Sequence, residues 1–130
     1  MIDIKLLEQL CLCNGISGDE GNVRNLIINE IKDCADDIKT DNLGNLIVFK
    51  KGKKSAKSKL MVSAHMDEVG LMVTDITSDG YLKFDEVGGI DRRVLPGKRV
   101  CVGRNGLKGV IGVKPIHLTN GDENCCYKGT

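Results

Sequence analysis

In the run LMVSAHMDEVG, residues 60–70, an apolar segment gives way to an imidazole, His65, and two carboxylates, Asp67 and Glu68. Side chains alternate along a strand, so residues 65 and 67 share one face while residues 66 and 68 take the other. A strand over this segment therefore sets His65 beside Asp67 at its carboxyl end, the edge where α/β sheets gather their ligands. An imidazole can ligate a divalent ion. A neighbouring carboxylate can orient that imidazole through its other ring nitrogen, or ligate in its own right. Glu68, on the opposite face, is the weaker candidate. The same pair also suits a structural histidine with a satisfied ring, and spacing alone leaves both readings open. A catalytic metal needs about three protein ligands and an open position. The second histidine, His117, has no ligand-type neighbour in its own segment. By spacing alone the sequence does not complete a metal site.

The elements that would position these groups follow from the period of the apolar residues. Ile4, Leu7, Leu10 and Cys11, with Leu6 and Cys13 flanking, give one apolar face of a short helix, which Asn14-Gly15 is expected to end in a left-handed residue. Ser17, with Glu20 three positions on, predicts a capping box for the next helix. In that helix Val23, Leu26, Ile27, Ile31 and Cys34 form an amphipathic stripe, with Arg24, Asn25, Asn29, Glu30 and Lys32 on the wet side. Two strand pieces then flank Asn42-Leu43-Gly44-Asn45. LIVF and LMVSAH are near-continuous apolar runs, as in strands buried on both faces. The first 68 or so residues read as helix, helix and three strands of an α/β layer. From Val69 onward short β-rich runs alternate with turn signals at Ser78-Asp79-Gly80 and Arg104-Asn105-Gly106. The change of period places a domain boundary near residues 68–72. The tail HLTNGDENCCYKGT carries no pattern.

Composition excludes several classes. The 130 residues carry 19 basic and 18 acidic side chains, a formal net charge of +1, which gives no reason for a nucleic-acid or acidic-membrane partner. The one dense basic run, KKGKKSAKSK, has no aromatic residue to stack a base, and reads as a solvated connector. No apolar stretch is long enough for a membrane span, and no signal peptide is visible. Six cysteines without a C-x-x-C pair suggest reduced thiols and a cytoplasmic protein. With two Phe, two Tyr and no Trp, any core is aliphatic.

Taken in order, LCLCNGISGDEGNVRNLI, DNLGNLIVFKKG, SAHMDEVGLMV, DGYLKFDEVGGIDRRVLPGKRV and GVIGVKPIHL resemble the dinuclear-metal glutamyl aminopeptidases, some of which are catalogued as cellulase M, endoglucanase M or deblocking aminopeptidases. The resemblance spans residues 6–118. It implies an α/β fold: a zinc-peptidase-like mixed sheet with helices, of which residues 1–68 are the N-terminal part, followed at 69–130 by an incomplete, inserted β-barrel domain used in oligomer assembly. It implies that His65 ligates one of two divalent ions, zinc or cobalt, and that Asp67 orients a ligand and tunes the metal-bound water. Gly88, Gly89 and Asp91 match a motif of the inserted domain and read as structural. The implied reaction is metal-assisted removal of N-terminal residues from peptides, by a homo-oligomer.

The family's bridging Asp, its Glu-Glu pair and its last Asp and His ligands lie downstream of anything present here. The chain is therefore expected to be an N-terminal fragment, from a truncated gene or a frameshift, without peptidase activity alone. Two other functions compete. A glycoside hydrolase needs two carboxyl groups facing each other across a sugar, about 5–10 Å apart. Asp67 with Glu68, and Asp85 with Glu86, are sequence neighbours on opposite strand faces and fit poorly. A non-catalytic oligomerisation module fits the Gly-rich second half. In isolation, strands at 44–50 and 59–65 would expose apolar faces and unpaired edges, which favours aggregation.

Overall fold

The computed structural model describes residues 3–54 and 57–113. His117 and the tail lie outside them. The chain divides into two compact units, 1–70 and 71–130.

The first unit opens with helix α1, Ile4–Leu12. Asp3 caps it, its carboxylate accepting from the Lys5 and Leu6 amides at 3.0 and 3.3 Å, two donors that lack intrahelical partners. The inward face differs from the sequence expectation. Ile4 and Leu7 are 75% and 52% exposed, whereas Leu6, Leu10 and Cys13 turn inward at i, i+4 and i+7. The helix ends because Cys13 is extended (φ −80°, ψ 127°), not through a left-handed Gly15. Gly15 is required for another reason: a Cβ there would stand 2.5 Å from Val23 Cγ2.

Helix α2, Gly21–Ile31, turns most of its expected stripe inward: Val23 is buried, and Leu26, Ile27 and Ile31 are half-buried, whereas Cys34 lies beyond the helix end and is exposed. The capping box does not form. Glu20 is the N-cap without a side-chain cap bond, and its carboxylate instead accepts from Gly18 N at 2.6 Å. Ser17 is engaged elsewhere.

Strands β1 (Asp37–Thr40) and β2 (Leu46–Phe49) pair antiparallel, Asp37 opposite Phe49 and Thr40 opposite Leu46. Their connector is built by Asp41, whose carboxylate accepts from Leu43 N, Asn45 N and Asn45 Nδ2 at 2.8–3.0 Å. Gly44 supplies the positive φ (87°), and Arg24 of α2 donates to its carbonyl at 2.8 Å.

The strand expected at 59–65 is absent. Residues 59–67 extend without a ladder, and Leu60, Met61 and Val62 are 84–91% exposed. A strand exists only against a ladder partner, and among the described residues none pairs with 59–67, although Gly15 lies near the Met66 carbonyl. Pairing begins at Glu68, which makes an isolated parallel bridge with Ile16. Gly70 follows because the Ile16 side chain lies 2.6 Å from where a Cβ would sit.

The second unit contains β3 (Gly70–Ile76, its first residue belonging to unit 1), β4 (Leu82–Val87), β5 (Arg99–Val102) and β6 (Leu107–Val110). Both turn signals act as expected. Gly80 (φ 84°) closes the connection between β3 and β4, where Thr77 N donates to Tyr81 O at 2.8 Å. Gly103 and Gly106 close the β5–β6 hairpin, Arg99 opposite Val110 and Val102 opposite Leu107. Asp91 caps a 3-10 turn, Arg92–Val94, accepting from Arg93 N at 3.0 Å while the Arg93 guanidinium grips the same carboxylate. The six described strands make three two-stranded sheets, so the architecture is helices with small antiparallel sheets rather than one mixed sheet. The buried apolar residues among those described are Val23 and Ile111.

Candidate functional site

The structure brings His65 and Asp67 together without a strand to do it. His65 Nδ1 lies 3.2 Å from Asp67 Oδ1 and 3.0 Å from the Asp67 carbonyl. Both partners can only accept from a ring nitrogen, so the proton belongs on Nδ1. That leaves the Nε2 lone pair free, on a side chain 86% exposed. The carboxylate of Asp67 is held from its other side: Ser17 Oγ donates to Oδ2. The Ser17 hydroxyl is the foremost reason that the Asp67 carboxyl is depressed below the ordinary aspartate range, with the His65 ring adding to it against partial desolvation. Asp67 is thus an anion that faces an imidazole through one oxygen and a hydroxyl through the other.

The backbone beneath this triplet is clamped. Glu68 N donates to Gly15 O at 2.7 Å, and Gly15 N donates to Glu68 Oε1 at 3.2 Å. Glu68 is therefore spent on the clamp rather than offered to a ligand. Asp67 and Ser17 stand one residue to either side of the Ile16–Glu68 bridge. Glu20 shares the neighbourhood: Gly18 N foremost lowers its pKa, while the negative charge of Asp67 opposes that. A hollow of about 400 Å³ opens beside His65 and Asp67, its apolar wall formed by Leu10, Cys13, Val23, Ile27 and Met66.

An imidazole with Nδ1 tied to a carboxylate and Nε2 open is the arrangement of a metal-ligating histidine and its orienting partner. The count stops there. Among the described residues no three His, Cys, Asp or Glu side chains gather as a metal cage would require. The donors present fit one edge of such a centre and not the whole, so no catalytic step is derived through a metal. Ser17 was missed by sequence reasoning because S-x-x-E just before an apolar stripe reads as a helix cap. The glycines on both sides of Ile16-Ser17 were the signal available, since they mark a loop that other backbone approaches closely.

No helix among the described residues is long and apolar enough to cross a membrane. The sequence profile of the M42 glutamyl aminopeptidases matches residues 44–126. The lysyl aminopeptidase of Pyrococcus furiosus is 39% identical over 121 residues, which is 91% of this chain and 34% of that protein. The Thermotoga maritima endoglucanase structure superimposes with a TM-score of 0.76 at 52% identity, over 84% of this chain and 34% of that one. The Pyrococcus horikoshii TET1 peptidase, which can assemble into a tetrahedron or a large octahedral shell, superimposes with a TM-score of 0.75 at 45% identity, over 95% of this chain and 37% of that one. The chain spans about a third of the length of the curated relatives it matches. With the matched profile covering well over half its residues, the chain belongs to the M42 glutamyl aminopeptidase family.

Proposed function

We propose that this chain contributes the first metal ligand and its orienting carboxylate to a metal-dependent aminopeptidase, which removes N-terminal residues from peptides. The observation that carries the reading is the His65–Asp67 pair, with Nδ1 tied at 3.2 Å and Nε2 free. His65 is the ligand and Asp67 the residue that fixes its ring. His65 would hold one of two divalent ions, zinc or cobalt, and such ions, when bound, would supply polarisation of the scissile carbonyl and a lowered pKa of water. The further ligands and the general base must come from residues outside those described. Residues 1–68 then form the N-terminal part of the α/β catalytic domain, and 69–130 the start of an inserted β-barrel. The assemblies of the TET1 peptidase support a homo-oligomer. The four described cysteines are all unpaired thiols, which supports a reducing, cytoplasmic setting.

The endoglucanase name of the Thermotoga relative invites the glycosidase reading, and the carboxylates argue against it. Asp67 is engaged by Ser17 and His65, Glu68 by Gly15, and Glu86 by Arg92 at 2.8 Å.

The test is a chimera in which this chain replaces the matching third of the Pyrococcus furiosus lysyl aminopeptidase. The chimera should hydrolyse aminoacyl amides when supplied with zinc or cobalt, and His65→Ala should abolish this. The 130 residues alone should be silent. Activity that survives His65→Ala, or cellulose cleavage in place of amide hydrolysis, would overturn the reading.

A further inference from the structure

We propose that Ser17 is a positioning residue of the site, which holds the Asp67 carboxylate so that the His65 ring presents Nε2 outward. The inference rests on the reading of His65 as a ligand. A carboxylate on a short side chain has a broad terminal torsion, so one contact does not fix its plane. Asp67 has two contacts on opposite oxygens, Oδ1 toward His65 Nδ1 at 3.2 Å and Oδ2 receiving the Ser17 hydroxyl. Without the second, the carboxylate is free to swing, and the ring keeps only the Asp67 carbonyl, 3.0 Å from Nδ1, as its fixed acceptor.

Ser17 is itself fixed by the backbone. It follows Ile16, which bridges Glu68, and that bridge is flanked by the 2.7 Å and 3.2 Å hydrogen bonds between Gly15 and Glu68. Two segments fifty residues apart are thereby registered so that hydroxyl and carboxylate meet. Ser17 is not the cap of α2, whose N-cap is Glu20; its described hydroxyl partner is Asp67. The rigid partner is the clamp, and Ser17 carries its rigidity to the exposed imidazole.

The experiment uses the full, uniformly ¹⁵N-labelled 130-residue chain, carrying Leu60→Lys and Val62→Lys to suppress association through its exposed apolar run, with only His65 and His117 rings to assign. Long-range proton–nitrogen correlations at a fixed pH of about 8, above the ordinary histidine pKa, report the tautomer of each neutral ring. Wild type should show His65 protonated on Nδ1. Ser17→Ala should raise the share of the Nε2-protonated form, with the Asp67 carbonyl left as the one fixed acceptor at Nδ1, and Ser17→Thr, which keeps the hydroxyl, should restore the wild-type share. Amide shifts of Gly15 and Glu68 report whether the clamp survives each change. In the chimera, Ser17→Ala should raise the metal concentration for half-activation about ten-fold, the low end of what loss of an outer partner costs. An intact clamp with unchanged tautomer and metal dependence in Ser17→Ala would overturn the role of Ser17. So would Ser17→Thr failing as Ser17→Ala does. Metal dependence indifferent to His65→Ala would instead sink the ligand reading, whatever Ser17 does.

Discussion

Replacing Gly15 with alanine should press a methyl group into Val23, and the cost can be worked from the geometry. The new Cβ would lie 2.5 Å from Val23 Cγ2 and 3.4 Å from the Met66 carbonyl. Non-bonded carbons prefer about 3.5–4.0 Å, so the overlap is roughly 1 Å. Val23 cannot turn aside easily, because a β-branched residue in a helix has one strongly preferred rotamer and this one is only 7% exposed. Overpacking of this kind costs about 1–3 kcal/mol. The backbone at Gly15 is not left-handed, so alanine also gains about 0.4–1 kcal/mol by restricting the unfolded chain. The balance is a loss of about 1–2 kcal/mol, read as roughly 5- to 30-fold faster amide exchange in α2. In a Val23→Ala background the clashing methyl is gone, and the same substitution should cost little or nothing. Equal costs in the two backgrounds, or a Gly15→Ala protein that exchanges more slowly than wild type, would refute the packing argument.

Asp41 organises the β1–β2 connector as an anion, and its carboxyl is lowered chiefly by the Asn45 side chain, then by the Asn45 amide. A carboxyl depressed in the folded state contributes stability above its unfolded pKa and loses it as pH falls through the folded one. Leu43 and Asn45 amide shifts should therefore hold steady to below the ordinary aspartate value and move only in stronger acid, and Asp41→Asn should remove that transition. A midpoint at or above the ordinary value would contradict this. Leu60 and Val62, 91% and 84% exposed, should drive association of the isolated chain at micromolar concentrations, and a Leu60→Lys, Val62→Lys double variant should stay smaller by light scattering. Equal particle size for both chains would count against it. Asp3→Ala removes a cap with two amide partners and should cost α1 about 1 kcal/mol, seen as several-fold faster exchange of the Lys5 and Leu6 amides. Unchanged exchange there would deny the cap.

The local signals in the sequence fared well where a residue acts on its own neighbours. Gly80 and Gly106 made their turns, and the stripe from Val23 to Ile31 turned inward. Local readings failed at the left-handed helix end expected of Gly15 and at the Glu20 cap, and the other failures depended on partners distant in sequence. The apolar run at 60–65 reads as a strand, yet a strand is a property of two segments, and no described segment forms a ladder with it. Ser17 and Glu20 have the spacing of a capping box, but each found a competing partner, Asp67 and Gly18. Likewise Ile4 and Leu7 fit one helical face, while tertiary packing chose Leu6 and Leu10. At the site, the His65–Asp67 pair was legible, but not by the strand alternation that named it, since residues 59–67 form no strand. The serine that locks it was not, because fifty residues separate the two.

Crystals of the chimera grown with cobalt would test the central assignment most directly, through anomalous diffraction at the cobalt edge. The account predicts a peak about 2.0–2.1 Å from His65 Nε2, with Nδ1 still facing Asp67. A peak on Nδ1, or a bound ion with His65 outside its coordination sphere, would contradict it.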